Sequence, residues 1–509
     1  MLVRVQSVAH LGLESIGIDV EVNVSNRGLP TFDIVGLPTK SVDESKERVR
    51  TAVVNSHMDF PQKKITVNLA PGDIPKEGSF YDLPIAAGIL ADTLQCEIPA
   101  KSLFFGELSL DGSLRHTKGA LLLALFAKQE GFLHIFLPRD SANEAAIVGG
   151  IAVHPVKNLE QLALHLLKKK FIAPATYKEI ALSSDGAAAA EFDMAEIFGQ
   201  EKAKRAAEIA AAGNHNLFMV GSPGAGKTML ARALPGILPP LEKLESLEVT
   251  KIYSVAGKIP AGGSVLRTRP FRSPHHTVSP VGLIGGGTKP QPGEITLAHR
   301  GVLFLDEFSE FPRSVLEALR QPLEDGHITI SRSRDRVRYP ARFILVASAN
   351  PCPCGYLYHH AKTCACTPRE IQKYQKRVSG PILDRIDLHV EVPDVDVKEF
   401  SDKQNTTESS GNIRERVARA REIQRARFAK DSILTNGEMK NSHVKTHCKL
   451  GRETQAILER AALKFHVSAR SYFKMIKVAR TIADLEGSPE LRSDHIAESI
   501  QYRVKISEA

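Results

Sequence analysis

The chain has 509 residues, a net charge of +9 and six cysteines. That length exceeds what one hydrophobic core fills, so three domains are expected. Apolar and charged fractions of 42% and 25% exclude a disordered or fibrous chain, and the longest apolar stretch, near Ala120–Ala127, is far short of the roughly 20 residues a membrane span needs. The start, MLVRVQSVAH, has no apolar signal segment. A cytoplasmic setting with reduced thiols and no membrane partner is therefore expected. The positive balance suits a polyanion such as nucleic acid, and suits an unspecialised basic surface equally well.

Along the chain, short β-rich runs (Ile18–Val24, Lys64–Leu69, His134–Leu137) alternate with helical patterns (Lys46–Val54, Ala120–Gln129). They predict an α/β domain over residues 1–172. Residues 173–191, with Ser183-Ser184-Asp185-Gly186 and four alanines, have linker composition. Residues 192–395 read as strand, glycine-rich turn and helix, the pattern of a parallel-sheet nucleotide domain. Residues 396–412 form a second polar linker. Amphipathic spacing in Glu453–Phe465 and Ser471–Leu485 predicts a helical domain over 413–509.

The strongest chemical signal follows the apolar strand Asn216–Val220. Gly221-Ser222-Pro223-Gly224-Ala225-Gly226-Lys227-Thr228 precedes a helix opening at Met229, the full GxxxxGK[ST] pattern between strand and helix. Its glycines let backbone N–H groups surround phosphates, and the helix N-terminus adds positive potential. Lys227 is placed to reach the β- and γ-phosphates of ATP, and Thr228 to hold Mg²⁺. Further on, the buried strand Val302–Leu305 ends in Asp306 and Glu307. Asp306 is placed to support Mg²⁺, and Glu307 to orient and deprotonate a water. A third apolar strand ends at Asn350, either a water-positioning residue or a simple strand cap.

Two further segments stand out. His327–Pro340 carries arginines at 332, 334, 336 and 338. They share one face if the strand is continuous, and split if Ser333-Arg334-Asp335 is a hairpin tip. Four of the cysteines, Cys352, Cys354, Cys364 and Cys366, are spaced as C-x-C, nine residues, C-x-C. Four thiolates close a tetrahedral zinc site. The alternatives are unmetallated reduced thiols, or His359 or His360 in place of one cysteine. Cys96 and Cys448 read as ordinary buried residues.

The motifs GSPGAGKT, VLFLDEF, ASANP and GPILDRIDLHVEV, in this order, resemble the AAA+ ATPases of the magnesium-chelatase-like subgroup. With FRSPHHTVSPVGLIGGG and NPCPCG the whole chain resembles, more narrowly, the ComM/YifB family associated with natural transformation. The resemblance implies an AAA+ α/β core with a helical lid, ATP and Mg²⁺ as cofactors, and a homo-hexamer. Arg385 matches the family's arginine finger, acting on the ATP of the neighbouring subunit; the alternative is an ion pair with Asp384 or Asp387. Arg470 matches the second sensor arginine, acting in cis; the alternative is a solvent-facing helix arginine. The resemblance makes Val255–His299 an insert in helix 2 that points into the pore. It makes His327–Pro340 a hairpin whose Arg332, Arg334 and Arg336 hold DNA phosphates, against the alternative of a solvated charged hairpin. The segments PGDIPKEGSFYDLPIAAGIL and GELSLDG are similar to the Lon protease domain, a ribosomal-S5-like fold. The serine and lysine of Lon's dyad fall on Phe80 and Leu121, with Ser79 adjacent, so a non-proteolytic role in DNA contact or ring assembly is implied. The implied function is an ATP-driven motor on single-stranded and branched DNA, promoting branch migration in recombination. The alternative is a chelatase-type subunit that remodels a protein partner.

Overall fold

A computed structural model describes residues 2–177, 191–263, 265–287, 290–331, 336–359, 362–394, 407–431 and 433–503. The chain divides into two units, Met1–Ala181 with Ser246–Leu266, and Leu182–Glu245 with Arg267–Ala509.

The first unit is built on a seven-stranded mixed sheet in the order Phe32–Val35, Lys64–Ala70, Glu14–Ser25, Leu2–Leu11, Ser102–Phe104, His134–Pro138, Ala152–Val156. Alternation along Glu14–Ser25 turns Ile18, Val20, Val22 and Val24 inward. The helix Asp82–Thr93 is buried from Asp82 to Asp92, as an all-round apolar helix must be. The buried Asp82 carboxylate is held by Arg48, with Nε 2.8 Å from Oδ2 and Nη2 3.0 Å from Oδ1. Cys96, expected buried, is only half-buried, whereas Cys448 in the second unit is buried. Phe80 stacks on Phe105 with centroids 4.5 Å apart, and Leu121 is fully buried. The Ser79 hydroxyl donates to Glu107, and the buried Lys76 amine donates to the Pro71 carbonyl. The two dyad positions therefore carry packing residues, and the adjacent hydroxyl is engaged by a carboxylate.

Ser246–Leu266, most of the helix Lys243–Val255 with the loop after it, belongs to this first unit. The Ser254 hydroxyl donates to the buried Glu144 carboxylate, whose Oε1 also accepts the Leu121 N–H at 2.9 Å. The Asn143 amide donates to the Gly262 carbonyl at 3.3 Å. Of the span read as one insert, the part up to Leu266 thus packs here, and Arg267–His299 lies in the second unit.

The second unit holds five parallel strands in the order Phe271–Arg272, Val302–Leu305, Ile344–Ala349, Leu217–Gly221, Leu388–Val392. Val302–Leu305 and Ile344–Ala349 are buried along their whole length, because helices and loops cover both faces of a parallel sheet. One face packs Leu217 and Met219 with the helices Glu201–Gly213 and Lys227–Ile237. The other gathers Phe218, Leu303, Leu305 and Leu345. Where the chain leaves this unit and returns, Glu245 and Arg269 form a buried ion pair, Oε2 to Nη2 at 2.6 Å.

The C-terminal part is helical: Ser410–Arg427, Arg452–Lys464, Ala469–Leu485 and Ser493–Gln501, closed over Phe428, Met439, Leu458, Ile476 and Ile496. The first of these helices begins within the stretch read as the second linker, capped by Ser409, whose hydroxyl accepts the Asn412 N–H at 3.4 Å. Residues 178–190 and 396–406 of the two expected linkers lie outside the described residues. Among the described residues no helix is long and apolar enough to cross a membrane.

Candidate functional site

Because the five strands are parallel, Gly221, Asp306 and Asn350 all lie at their C-terminal ends, where open α/β sheets bind ligands. Gly224 and Gly226 have φ of +84° and +90°, a left-handed backbone that curls the loop and that other residues adopt at a cost. Lys227 opens the helix that follows.

The Lys227 ammonium sits inside its own loop. It donates to the carbonyls of Gly221 at 2.6 Å and Ser222 at 2.8 Å, and lies 3.3 Å from Asn350 Oδ1. Burial lowers its pKa from the ordinary value, a shift partly offset by the carboxylates of Asp306, Asp394 and Glu307. A buried cation with mostly neutral partners favours an incoming polyanion. Next to it, Thr228 Oγ1 donates to Asp306 Oδ2 at 2.9 Å. The other Asp306 oxygen accepts the Ser348 hydroxyl and the Glu307 N–H, the latter at 3.0 Å. A hydroxyl and a carboxylate at this separation, beside a phosphate loop, form an oxygen-donor pair suited to Mg²⁺.

Glu307 differs from Asp306 in every respect that bears on its role. Its backbone is left-handed, at φ 51° and ψ 47°, which a non-glycine residue holds only where the surroundings enforce it. Its side chain is more than half exposed, and Oε2 lies 3.6 Å from His276 Nδ1. A carboxylate fixed by strain at the mouth of the site and left open to solvent can take a proton from water. Sequence reasoning assigned no role to His276. The signal for it was the histidine pair in FRSPHH, directly after the strand Phe271–Arg272 that neighbours Val302–Leu305.

A cavity of about 550 Å³ reaches Asn350 and is lined by Phe218, Val220, Tyr374, Phe465 and Lys474. Lys227 and Asp306 do not line it.

Arg385 is not paired with Asp384 or Asp387. Its Nη2 lies 2.7 Å from Glu324, and Nη1 donates to the Pro381 carbonyl at 2.6 Å. Arg470, at the start of the helix Ala469–Leu485, is not free in solvent and pairs with the same glutamate at 2.6 Å. Lys227 and the two arginines thus occupy separate networks within one chain.

His327–Ser331 and Arg336–Pro340 form an antiparallel hairpin in which Ser331 faces Arg336 and Thr329 faces Arg338. Residues 332–335, with Arg332 and Arg334, lie outside the described residues. Arg336 and Arg338 are exposed on one face of the second strand, with Val337 and Tyr339 buried on the other. Arg338, named with the other three for the period of two, was not among those assigned to DNA.

The four clustered cysteines converge. All four Sγ atoms lie within 4.8 Å of one another. Cys352 is 3.4 Å from Cys354 and 3.6 Å from Cys364, and Cys354 is 3.5 Å from Cys364. These separations exceed a disulfide bond and approach the ~3.8 Å edge of a tetrahedron with Zn–S of about 2.3 Å. The Tyr356 N–H, followed by that of Ala365, holds the Cys354 thiol down to about 6, while those of Cys352, Cys364 and Cys366 are raised. His359 is not in the cluster. Its Nδ1 accepts the Lys362 N–H at 3.1 Å and lies 3.5 Å from Asp394. His360 lies outside the described residues.

Three family models match the chain, described as subunit ChlI of Mg-chelatase over residues 20–141, magnesium chelatase subunit ChlI over 193–400, and its C-terminal part over 407–503. Competence protein ComM of Haemophilus influenzae is 42% identical over 510 residues, covering 99% of this chain and 98% of that protein. The protein YifB of Escherichia coli is 41% identical over 505 residues, covering 98% and 96%. The magnesium-chelatase 38 kDa subunit of Rhodobacter capsulatus is 31% identical over 178 residues, 31% of this chain and 50% of its own.

Proposed function

Because the chain belongs to the ComM/YifB family of magnesium-chelatase-like AAA+ proteins, we propose that it is an ATP-hydrolysing motor that moves on single-stranded and branched DNA. Acting as a hexamer in the cytoplasm, it promotes branch migration during recombination of incoming strands in natural transformation. The observation that carries ATP hydrolysis is the pairing of Thr228 with Asp306 directly beside a buried Lys227. Bound ATP and Mg²⁺ supply the phosphoanhydride and the charge that neutralises it. Gly221 to Thr228 and Met229 cradle the phosphates, Lys227 exchanges its loop carbonyls for them, and Thr228 and Asp306 hold the cation. Glu307 takes the proton of the attacking water, and Asn350 orients it. Arg385 leaves Glu324 for the neighbouring subunit's nucleotide, and Arg470 reports hydrolysis as movement of the helical lid.

DNA as substrate rests on the full-length similarity to a protein named for competence and on the exposed arginines of the hairpin. Arg332, Arg334 and Arg336 neutralise phosphates and read no bases. The first unit is a non-proteolytic, Lon-like domain used for DNA contact or ring assembly. Cys352, Cys354, Cys364 and Cys366 hold a structural zinc ion, which closes a loop that has no core of its own. The partial likeness to a magnesium-chelatase subunit supports a second reading, a motor that remodels a protein partner. ATP turnover of the full chain with and without DNA separates the two. Stimulation by DNA that is lost when Arg332, Arg334 and Arg336 are replaced by alanine supports the DNA motor. Indifference to DNA overturns it.

A further inference from the structure

The cysteine loop meets the phosphate site at three places. Gly355 sits against the phosphate loop: its φ is +84°, and a Cβ there would lie 2.6 Å from Pro223 Cδ. Asn350, two residues before Cys352, places Oδ1 3.3 Å from Lys227 Nζ. His359, between the second and third cysteines, lies 3.5 Å from Asp394, and the Asp394 charge acts on Lys227. Among the described residues, Cys352 to Cys366 contain neither helix nor strand. The loop's base is tied by Gln375, whose Nε2 donates to the Pro351 carbonyl at 3.2 Å. Whatever closes the four thiols therefore shares in fixing Gly355 and His359, alongside the contacts of His359 with Lys362 and Asp394.

We propose that the metal ion held by Cys352, Cys354, Cys364 and Cys366 is a positioning element of the nucleotide site: closing the loop seats Gly355 on Pro223, fixes Asn350 and His359, and so sets nucleotide affinity. This rests on the zinc and nucleotide readings above and adds a coupling between them. A metal that only staples a surface loop is indifferent to nucleotide. A metal that shapes the phosphate loop is not, and because coupling free energies are reciprocal, nucleotide then tightens the metal by the factor the metal tightens nucleotide.

The test uses the full-length protein, its zinc content, binding of a fluorescent ADP analogue with Mg²⁺, and zinc affinity by chelator competition with and without ADP. The native chain is expected to carry one zinc. The zinc-free double variant Cys364→Ser/Cys366→Ser is expected to bind the analogue at least about fivefold more weakly, the lower end of ordinary allosteric couplings. Saturating ADP is expected to tighten zinc in the native chain by the same factor. Gly355→Ala is expected to keep its zinc and still bind the analogue more weakly, because the added Cβ lifts the loop off Pro223. Zinc affinity unmoved by ADP overturns the coupling while leaving the zinc reading intact, as does a Gly355→Ala chain with native affinity for both ligands. A native chain without zinc overturns the metal reading and the coupling together. One that carries zinc but binds no ADP overturns the nucleotide reading and the coupling together. If the cysteine variant does not fold, the native zinc titration and Gly355→Ala decide.

Discussion

Arg385 and Arg470 grip opposite oxygens of one carboxylate: Arg385 Nη2 is 2.7 Å from Glu324 Oε2, and Arg470 Nη1 is 2.6 Å from Oε1. One residue comes from the turn before the strand Leu388–Val392, the other from the helix Ala469–Leu485. Under the proposed mechanism each arginine gives up Glu324 before it meets a phosphate, so the glutamate would compete with nucleotide for both.

Glu324→Gln removes that competitor. The carboxylate is 44% exposed, so the two pairs contribute within about 1 kcal/mol and the melting temperature stays near native. ATP turnover, measured against protein concentration, is expected to rise at concentrations too low to saturate assembly. The hydrogen bond from Arg385, then Arg470, holds the Glu324 carboxyl below its ordinary value. Protonation as the pH falls through that lowered value frees both arginines, so the gap between native and variant narrows in acid. Identical turnover at every concentration would show that Glu324 restrains neither arginine.

Glu307→Gln keeps the shape of the site and removes the base. Turnover is expected to fall at least about 100-fold, the ordinary contribution of a positioned general base. Nucleotide binding persists, because Lys227, Thr228 and Asp306 are untouched. Parallel binding and single-turnover measurements check this; loss of binding would place Glu307 in the phosphate cradle instead.

Asp387 joins His215 to the helix Ala469–Leu485 through Lys474. Its carboxylate lies 3.3 Å from His215 and 3.8 Å from Lys474, and accepts the Asn216 N–H at 3.2 Å. Burial alone would raise its pKa. The His215 hydrogen bond and the charges of Lys474 and Lys477 overcome that and hold it below the carboxylate range. A depressed carboxyl contributes stability that is full above the unfolded value of about 3.9 and is lost as pH falls through the folded one. Asp387→Asn is expected to cost about 3 kcal/mol near neutral pH, through the stranded Lys474. It should also flatten the loss of melting temperature below about pH 4. Melting curves across pH test both, and an unchanged acid slope would assign the proton uptake elsewhere.

Arg336→Ala and Arg338→Ala bear on the hairpin. If these exposed side chains hold phosphates, each substitution weakens DNA binding alike for all sequences. Each also lowers the slope of log affinity against log salt by about 1 for every subunit in contact. Titrations at several salt concentrations read that slope, and an unchanged slope removes the arginine from the interface.

Much of the nucleotide site was legible because its chemistry is local. The order strand, glycine loop, helix lies within Leu217–Ile237, and continuous apolar runs marked Val302–Leu305 and Ile344–Ala349 as buried parallel strands. What escaped depends on distance along the chain. Glu324 lies 61 residues from Arg385 and 146 from Arg470, and no spacing rule joins them. Asp384 and Asp387 were nearer in sequence but face elsewhere, toward Ser471 and His215. The approach of Gly355 to Pro223 was equally hidden, since a glycine in a coil carries no periodicity. Cys96 was misread because residue type alone does not fix how far a loop residue sinks.

The buried Glu245–Arg269 pair stands at a neck where the polypeptide departs one body and comes home to it. Ser246–Leu266, strung between those two residues, finds hydrogen-bond partners in Asn143 and Glu144, from the front of the gene. A shortened version starting after the first linker would therefore leave that stretch without its packing surface, however intact its phosphate loop. The front domain is bound by topology as well as by sequence, and recombination or engineering that exchanges it as a cassette must carry this strap along.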